Sequence, residues 1–89
     1  EHHTLIMKFG GAALKTPGHF AKVADLILQK SKGASQVVVV VSAMGRMTDE
    51  LLALANQVHP NPPNRERDVL VSVGEQISMA LLAMAVQLK

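Results

Sequence analysis

Three short segments of this 89-residue chain hold residues that could handle a phosphate or an amino acid. The first is Lys8-Phe9-Gly10-Gly11, directly after an apolar run. Glycine lets the backbone approach an anion closely and turn N–H groups toward it. Lys8 could neutralise charge developing on a transferring phosphoryl group. The pattern is neither G-x-x-x-x-G-K-[ST] nor G-x-G-x-x-G, and a tight turn with a solvated lysine explains the same residues. The second segment, residues 42–49, offers the hydroxyls of Ser42 and Thr48. In isolation Thr48 reads as a helix cap and Ser42 as a turn residue. The third is Ser72-Val73-Gly74-Glu75. S-x-x-E is the capping-box pattern, with Ser72 as N-cap and Glu75 at N3. The alternative is a carboxylate displayed in a crevice to bind an ammonium group.

Other chemistry is poorly supported. There is no cysteine, so disulfides, thiolate metal sites and Cys nucleophiles are excluded. His19 and His59 lie far apart with no second ligand at metal spacing, so no metal site is expected. The net charge of +2 comes from basic residues scattered along the chain, without interleaved aromatics. Nucleic-acid binding is therefore not expected. No unbroken apolar run, Val37 to Val41 included, approaches the ~20 residues that span a bilayer, so no membrane contact is expected. No signal peptide is visible, and a cytoplasmic location is the default. Residues 1–3, Glu-His-His, read as a tag remnant and are set apart from a domain over residues 4–89.

These segments need elements to position them. Residues 4–9 read as a strand ended by Gly10-Gly11. Thr16-Pro17 is a helix start, with Thr16 at N-cap and Pro17 at N1. Phe20, Val23, Ala24, Ile27 and Leu28 then recur at helical spacing, and Gly33 suits the stop. Five consecutive valines, 37 to 41, predict a strand that is apolar on both faces. Such strands sit centrally in parallel sheets with cover on both sides. Strand, helix and strand make a right-handed βαβ unit. The first two segments then lie together at the carboxyl edge of the sheet, where ligands bind in open α/β folds.

Thr48, Asp49 and Glu50 suit the start of a further helix, with Leu51, Leu52, Leu54, Ala55 and Val58 on its apolar side. A Pro-rich connection follows at residues 59–64. Helix is expected from Arg65 to Val71, an interruption at 72–75, and helix again from Gln76. In the last piece Ile77, Ala80, Leu81, Met84 and Leu88 form the stripe, with Leu82 and Val86 on other sides. A helix apolar nearly all round requires burial, and 89 residues leave little protein to provide it. The chain is therefore expected to be a fragment.

The ordered set Lys-Phe-Gly-Gly (8–11), Val-Val-Val-Val-Val-Ser-Ala-Met-Gly (37–45), Thr-Asp-Glu-Leu-Leu (48–52), Asn-Pro-Pro-Asn-Arg-Glu-Arg-Asp (61–68) and Ser-Val-Gly-Glu-Gln-Ile-Ser (72–78) resembles the start of the aspartate kinases, in the amino-acid kinase superfamily. The resemblance implies an α/β fold: the truncated N-terminal portion of a three-layer αβα sandwich with a parallel-rich sheet. It implies phosphorylation of L-aspartate by ATP, with Mg²⁺ carried by the nucleotide, giving 4-phospho-L-aspartate for lysine, threonine and methionine synthesis. It assigns Lys8, Phe9, Gly10, Gly11 and Ser42 to ATP phosphates, with Lys8 catalytic. It assigns Ser42, Thr48 and Glu75 to the substrate amino acid, and it favours a homo-oligomer in the full-length protein. This sequence departs from the family in one place: Ala12 and Ala13 stand where Thr-Ser or Ser-Ser is usual, removing hydroxyl donors near the phosphates. The fragment alone is expected to be inactive. The alternatives are a uridylate, glutamate or carbamate kinase-like enzyme, or a non-catalytic module oligomerising through Ile77, Leu81, Met84 and Leu88.

Overall fold

The computed structural model describes residues 3–89. It contains β1 (Thr4–Phe9), α1 (Pro17–Lys30), β2 (Gln36–Val41), α2 (Met47–Val58) and α3 (Asn64–Leu88). Glu1 and His2 of the supposed tag lie outside the described residues. His3 is joined to the fold, its carbonyl accepting from the backbone N–H of Ser35 at 3.1 Å.

The strands pair in parallel, in register from Thr4 opposite Gln36 to Phe9 opposite Val41. Both alternate toward and away from the core along their length. Phe9 and Val41 join Leu14, Phe20, Val23, Ile27 and Leu82 in the buried cluster. The other face is bare: Ile6, Val38 and Val40 are exposed. The valine run does make a strand apolar on both sides, and within these residues only one side is covered.

α1 buries Phe20, Val23, Ala24 and Ile27, as its spacing predicts, while Leu28 points outward. Thr16 stands at the N-cap, but its side chain does not bond the helix backbone. Its hydroxyl pairs instead with His19 Nδ1 at 2.7 Å. At the other end Gly33, at φ +84°, turns the chain after the Ser31 cap; that left-handed conformation is easily reached only without a Cβ.

Three expectations fail in the second half. Thr48 is not a cap: α2 begins at Met47 with Arg46 at the N-cap, leaving Thr48 inside the first turn. The interruption at 72–75 does not exist, because α3 runs unbroken for 25 residues. The capping box is therefore not formed; Ser72 Oγ donates back to the Val69 carbonyl at 2.7 Å, as a mid-helix serine does. Finally, the buried stripe of α3 is Gly74, Ser78 and Leu82, with Leu81, Ala85 and Val86 packed beside it. Ile77, Met84 and Leu88 are exposed. A helix apolar nearly all round carries no phase in its sequence, so its neighbours choose the face.

α3 is also long and apolar enough, by length and composition, to cross a membrane, which a search for unbroken apolar runs misses. Here it packs along α1 and α2 and touches β2.

Candidate functional site

The carboxyl edge of the sheet is built from two loops and one helix. β1 ends at Phe9, and the chain coils through a turn in which Ala13 N–H donates to the Gly10 carbonyl at 3.1 Å and Leu14 N–H to the Gly11 carbonyl at 3.2 Å. Leu14 is fully buried and pins this turn to the core. The loop after β2 starts with Ser42 N–H donating to the Phe9 carbonyl at 3.1 Å, one step beyond the strand ladder. It closes with Met47 N–H donating to the Met44 carbonyl at 3.0 Å.

The two loops interlock through glycine. A Cβ on Gly11 would lie 3.3 Å from the carbonyl oxygens of both Ala43 and Gly45. Gly45 has φ +52°, and a Cβ there would meet the Lys15 carbonyl oxygen at 2.9 Å. Gly10 differs: among the described residues nothing lies within 4 Å of where its Cβ would be. The first loop thus has one glycine facing open space and one pressed against its neighbour.

α3 closes the group from the side. A Cβ on Gly74 would lie 2.9 Å from Ala43 Cβ and 3.4 Å from Met47 Cγ and Sδ. The glycine that looks like a helix break is the point where α3 crosses the second loop. Segments 8–11, 42–48 and 74–75, far apart in sequence, therefore meet around Ala43.

The expected site residues fall as follows. Lys8 is exposed at the end of β1, opposite Val40 and on the bare face of the sheet. Phe9 is a buried core residue, 8% exposed as a whole, which leaves its backbone rather than its ring to reach a ligand. Gly10 is open and Gly11 is packed. Ser42 and Thr48 are half-buried, one in the loop and one in the first turn of α2. Glu75 is exposed on α3, next to the crossing glycine. Ala12 and Ala13 are exposed on the first turn and bring no hydroxyl. Among the described residues no group of three or more His, Cys, Asp or Glu could hold a metal ion.

Ala43, Gly45, Gly74 and the backbone of Lys15 were not singled out by sequence reasoning, though they hold the site together. The available signal was glycine inside helical spacing, which usually has a packing reason.

Residues 3–89 match the model of the Amino acid kinase family. The chain belongs to the amino acid kinase family. This amino acid kinase segment is 45% identical over 85 residues to the aspartokinase of Bacillus sp. (strain MGA3), covering 96% of this chain and 21% of that protein. It is 48% identical over 83 residues to the aspartokinase of Corynebacterium glutamicum, covering 93% of this chain and 20% of that one. Among solved structures, the aspartate kinase from Synechocystis superposes with a TM-score of 0.89 at 46% identity, covering 96% of this chain and 14% of that one. The segment thus spans about a fifth of the length of the curated relatives it matches.

Proposed function

We propose that this segment is the N-terminal part of an aspartate kinase domain, and that the complete protein phosphorylates the side-chain carboxylate of L-aspartate with ATP. The product would be 4-phospho-L-aspartate, at the entry to lysine, threonine and methionine synthesis. The observation that carries the reading is similarity at 45–48% identity, across 93–96% of the chain, to proteins named aspartokinase. The meeting of the three segments around Ala43 supports it independently.

The chemistry suits these residues. Phosphoryl transfer depends mainly on positioning and charge stabilisation. A carboxylate oxygen of aspartate attacks the γ-phosphorus, and the bond from that phosphorus to the ADP oxygen breaks. The nucleophile is already ionised, so no general base is needed. The open space at Gly10 and the exposed cation of Lys8 fit a phosphate at the first loop. Lys8 and the Gly10 and Gly11 backbone would stabilise the spreading negative charge. Ser42 would stand between phosphate and amino acid, while Thr48 and Glu75 would hold the amino acid. Mg²⁺ would arrive with the nucleotide and offset charge on its phosphates.

On this reading the complete enzyme would be a cytoplasmic homo-oligomer that binds neither nucleic acid nor membrane. The exposed Ile77, Met79, Met84 and Leu88 of α3 would be covered by the rest of the protein. The segment alone would not turn over.

The test is hydroxylamine trapping of the acyl phosphate made by the full-length protein from ATP and L-aspartate, beside Glu75→Ala. Loss of a hydrogen bond to a charged group, worth about 1.5–3 kcal/mol, predicts an aspartate KM raised roughly 10- to 100-fold with the ATP KM unchanged. Hydroxamate formed from glutamate or carbamate but not from aspartate would reject the substrate. A variant with unchanged kinetics would remove Glu75 from the site.

A further inference from the structure

We infer that Gly74 is a positioning residue, whose missing side chain sets the spacing between the loop bearing Ser42, which leads into the α2 turn bearing Thr48, and the helix bearing Glu75. The inference rests on the proposed kinase reaction for its functional consequence. Ala43 is held from two sides. Its carbonyl oxygen lies 3.3 Å from where a Gly11 Cβ would be, and its methyl lies 2.9 Å from where a Gly74 Cβ would be. Ala43 is 4% exposed, and it follows Ser42 directly. The first loop, the second loop and α3 are thus stacked closely, with Gly11 and Gly45 where the two loops meet and Gly74 where α3 crosses the second.

Glycine in a helix interior is disfavoured against alanine. At position 74 alanine is unavailable for a tertiary reason. Non-bonded carbons settle about 3.5–4.0 Å apart, so a methyl at 74 must push Ala43 or α3 away by roughly 0.6–1 Å. Ala43 cannot retreat freely, because the first loop backs it at Gly11. The displacement therefore passes to Ser42 on one side or to Glu75 on the other. A misplacement of about 1 Å can cost on the order of 10²-fold in rate.

The geometry also names its own rescue. With glycine at position 43 the 2.9 Å contact disappears, and the next nearest atoms are Met47 Cγ and Sδ, at 3.4 Å on a flexible side chain. The methyl has moved from one partner to the other while the spacing is kept.

The experiment compares the full-length protein with Gly74→Ala, Ala43→Gly and the double variant, each normalised to folded protein. Gly74→Ala should lower kcat/KM for aspartate on the order of 10²-fold. The double variant should return to within a few-fold of Ala43→Gly alone. A merely structural role would change the folded fraction and leave kcat/KM per folded molecule unmoved; that result, or failure of Ala43→Gly to rescue, overturns the inference. If Gly74→Ala does not fold, recovery of folding and turnover in the double variant supports the inference, and a double variant that also fails overturns it. A parent inactive on every amino acid rejects the kinase reading. The coupling is then read from thermal unfolding: additive losses at the two positions overturn the inference, and a double variant more stable than Gly74→Ala supports it.

Discussion

Gly10 and Gly11 are adjacent in sequence and opposite in environment, which separates folding from ligand binding at one residue. Gly10 has φ outside the positive range and nothing within 4 Å of an added Cβ. Replacing glycine by alanine at such a position removes freedom from the unfolded chain and stabilises by about 0.4–1 kcal/mol. In a protein of a few hundred residues this predicts a rise in Tm of roughly 1–4 °C. The same methyl would occupy the space proposed for a phosphate. A hydrogen bond to a charged group contributes about 1.5–3 kcal/mol, so losing one predicts nucleotide affinity lower by roughly 10- to 100-fold. Gly10→Ala should therefore make the full-length protein more heat-stable and worse at binding ATP. Differential scanning fluorimetry with and without nucleotide reads both effects: the apo midpoint rises, and the ATP-induced shift shrinks. An unchanged ATP shift would mean that the first loop does not cradle phosphate. A lowered apo midpoint would mean that the turn is tighter at Gly10 than its surroundings indicate.

Gly45→Ala should act in the opposite sense. The left-handed conformation costs a non-glycine residue roughly 1–2 kcal/mol, and its Cβ would also meet the Lys15 carbonyl oxygen at 2.9 Å. Thermal or denaturant unfolding should show a loss of about 2–4 kcal/mol, and a loss below about 0.5 kcal/mol would contradict the interlock of the two loops. Ser78 is fully buried, and among the described residues its hydroxyl has no hydrogen-bond partner. Because an unsatisfied buried polar group costs about 1–3 kcal/mol, Ser78→Ala should be neutral or stabilising by up to about 1 kcal/mol in urea unfolding. Clear destabilisation would reveal a partner for that hydroxyl.

The first half of the chain was legible because its signals are local and redundant. Five valines leave little choice but strand, Thr16-Pro17 fixes a helix start, and α1 has a single apolar face. The second half was misread where a local pattern has two meanings. Ser72 and Glu75 satisfy a capping box as spelled, yet the chain stays helical, and Gly74 answers to its contact with Ala43 and Met47 rather than to a helix break. That contact joins positions about thirty residues apart, and no window of sequence contains it. The face of α3 was misassigned for a related reason: with apolar residues all round, only α1 and β2 decide that Leu82 and Val86 turn inward. At the site, segments 8–11 and 42–48 were placed at one sheet edge by topology alone, whereas the packing that holds them emerged only from the fold.

Lys8 stands on the uncovered face of the sheet, in the same row as Ile6 and directly across from Val40. A layer laid over Ile6, Val38 and Val40 would run along the aliphatic stem of Lys8 and leave the ammonium at the rim, facing the loops. It would also replace water as the medium around that charge. Two unit charges 4 Å apart attract by about 1 kcal/mol in water and by about 4 kcal/mol at an effective dielectric constant of 20. If Lys8 meets a phosphate as proposed, its pull would be set less by Lys8 than by whatever roofs the valines beside it, so apolar substitutions in that roof should register in nucleotide turnover without touching the nucleotide.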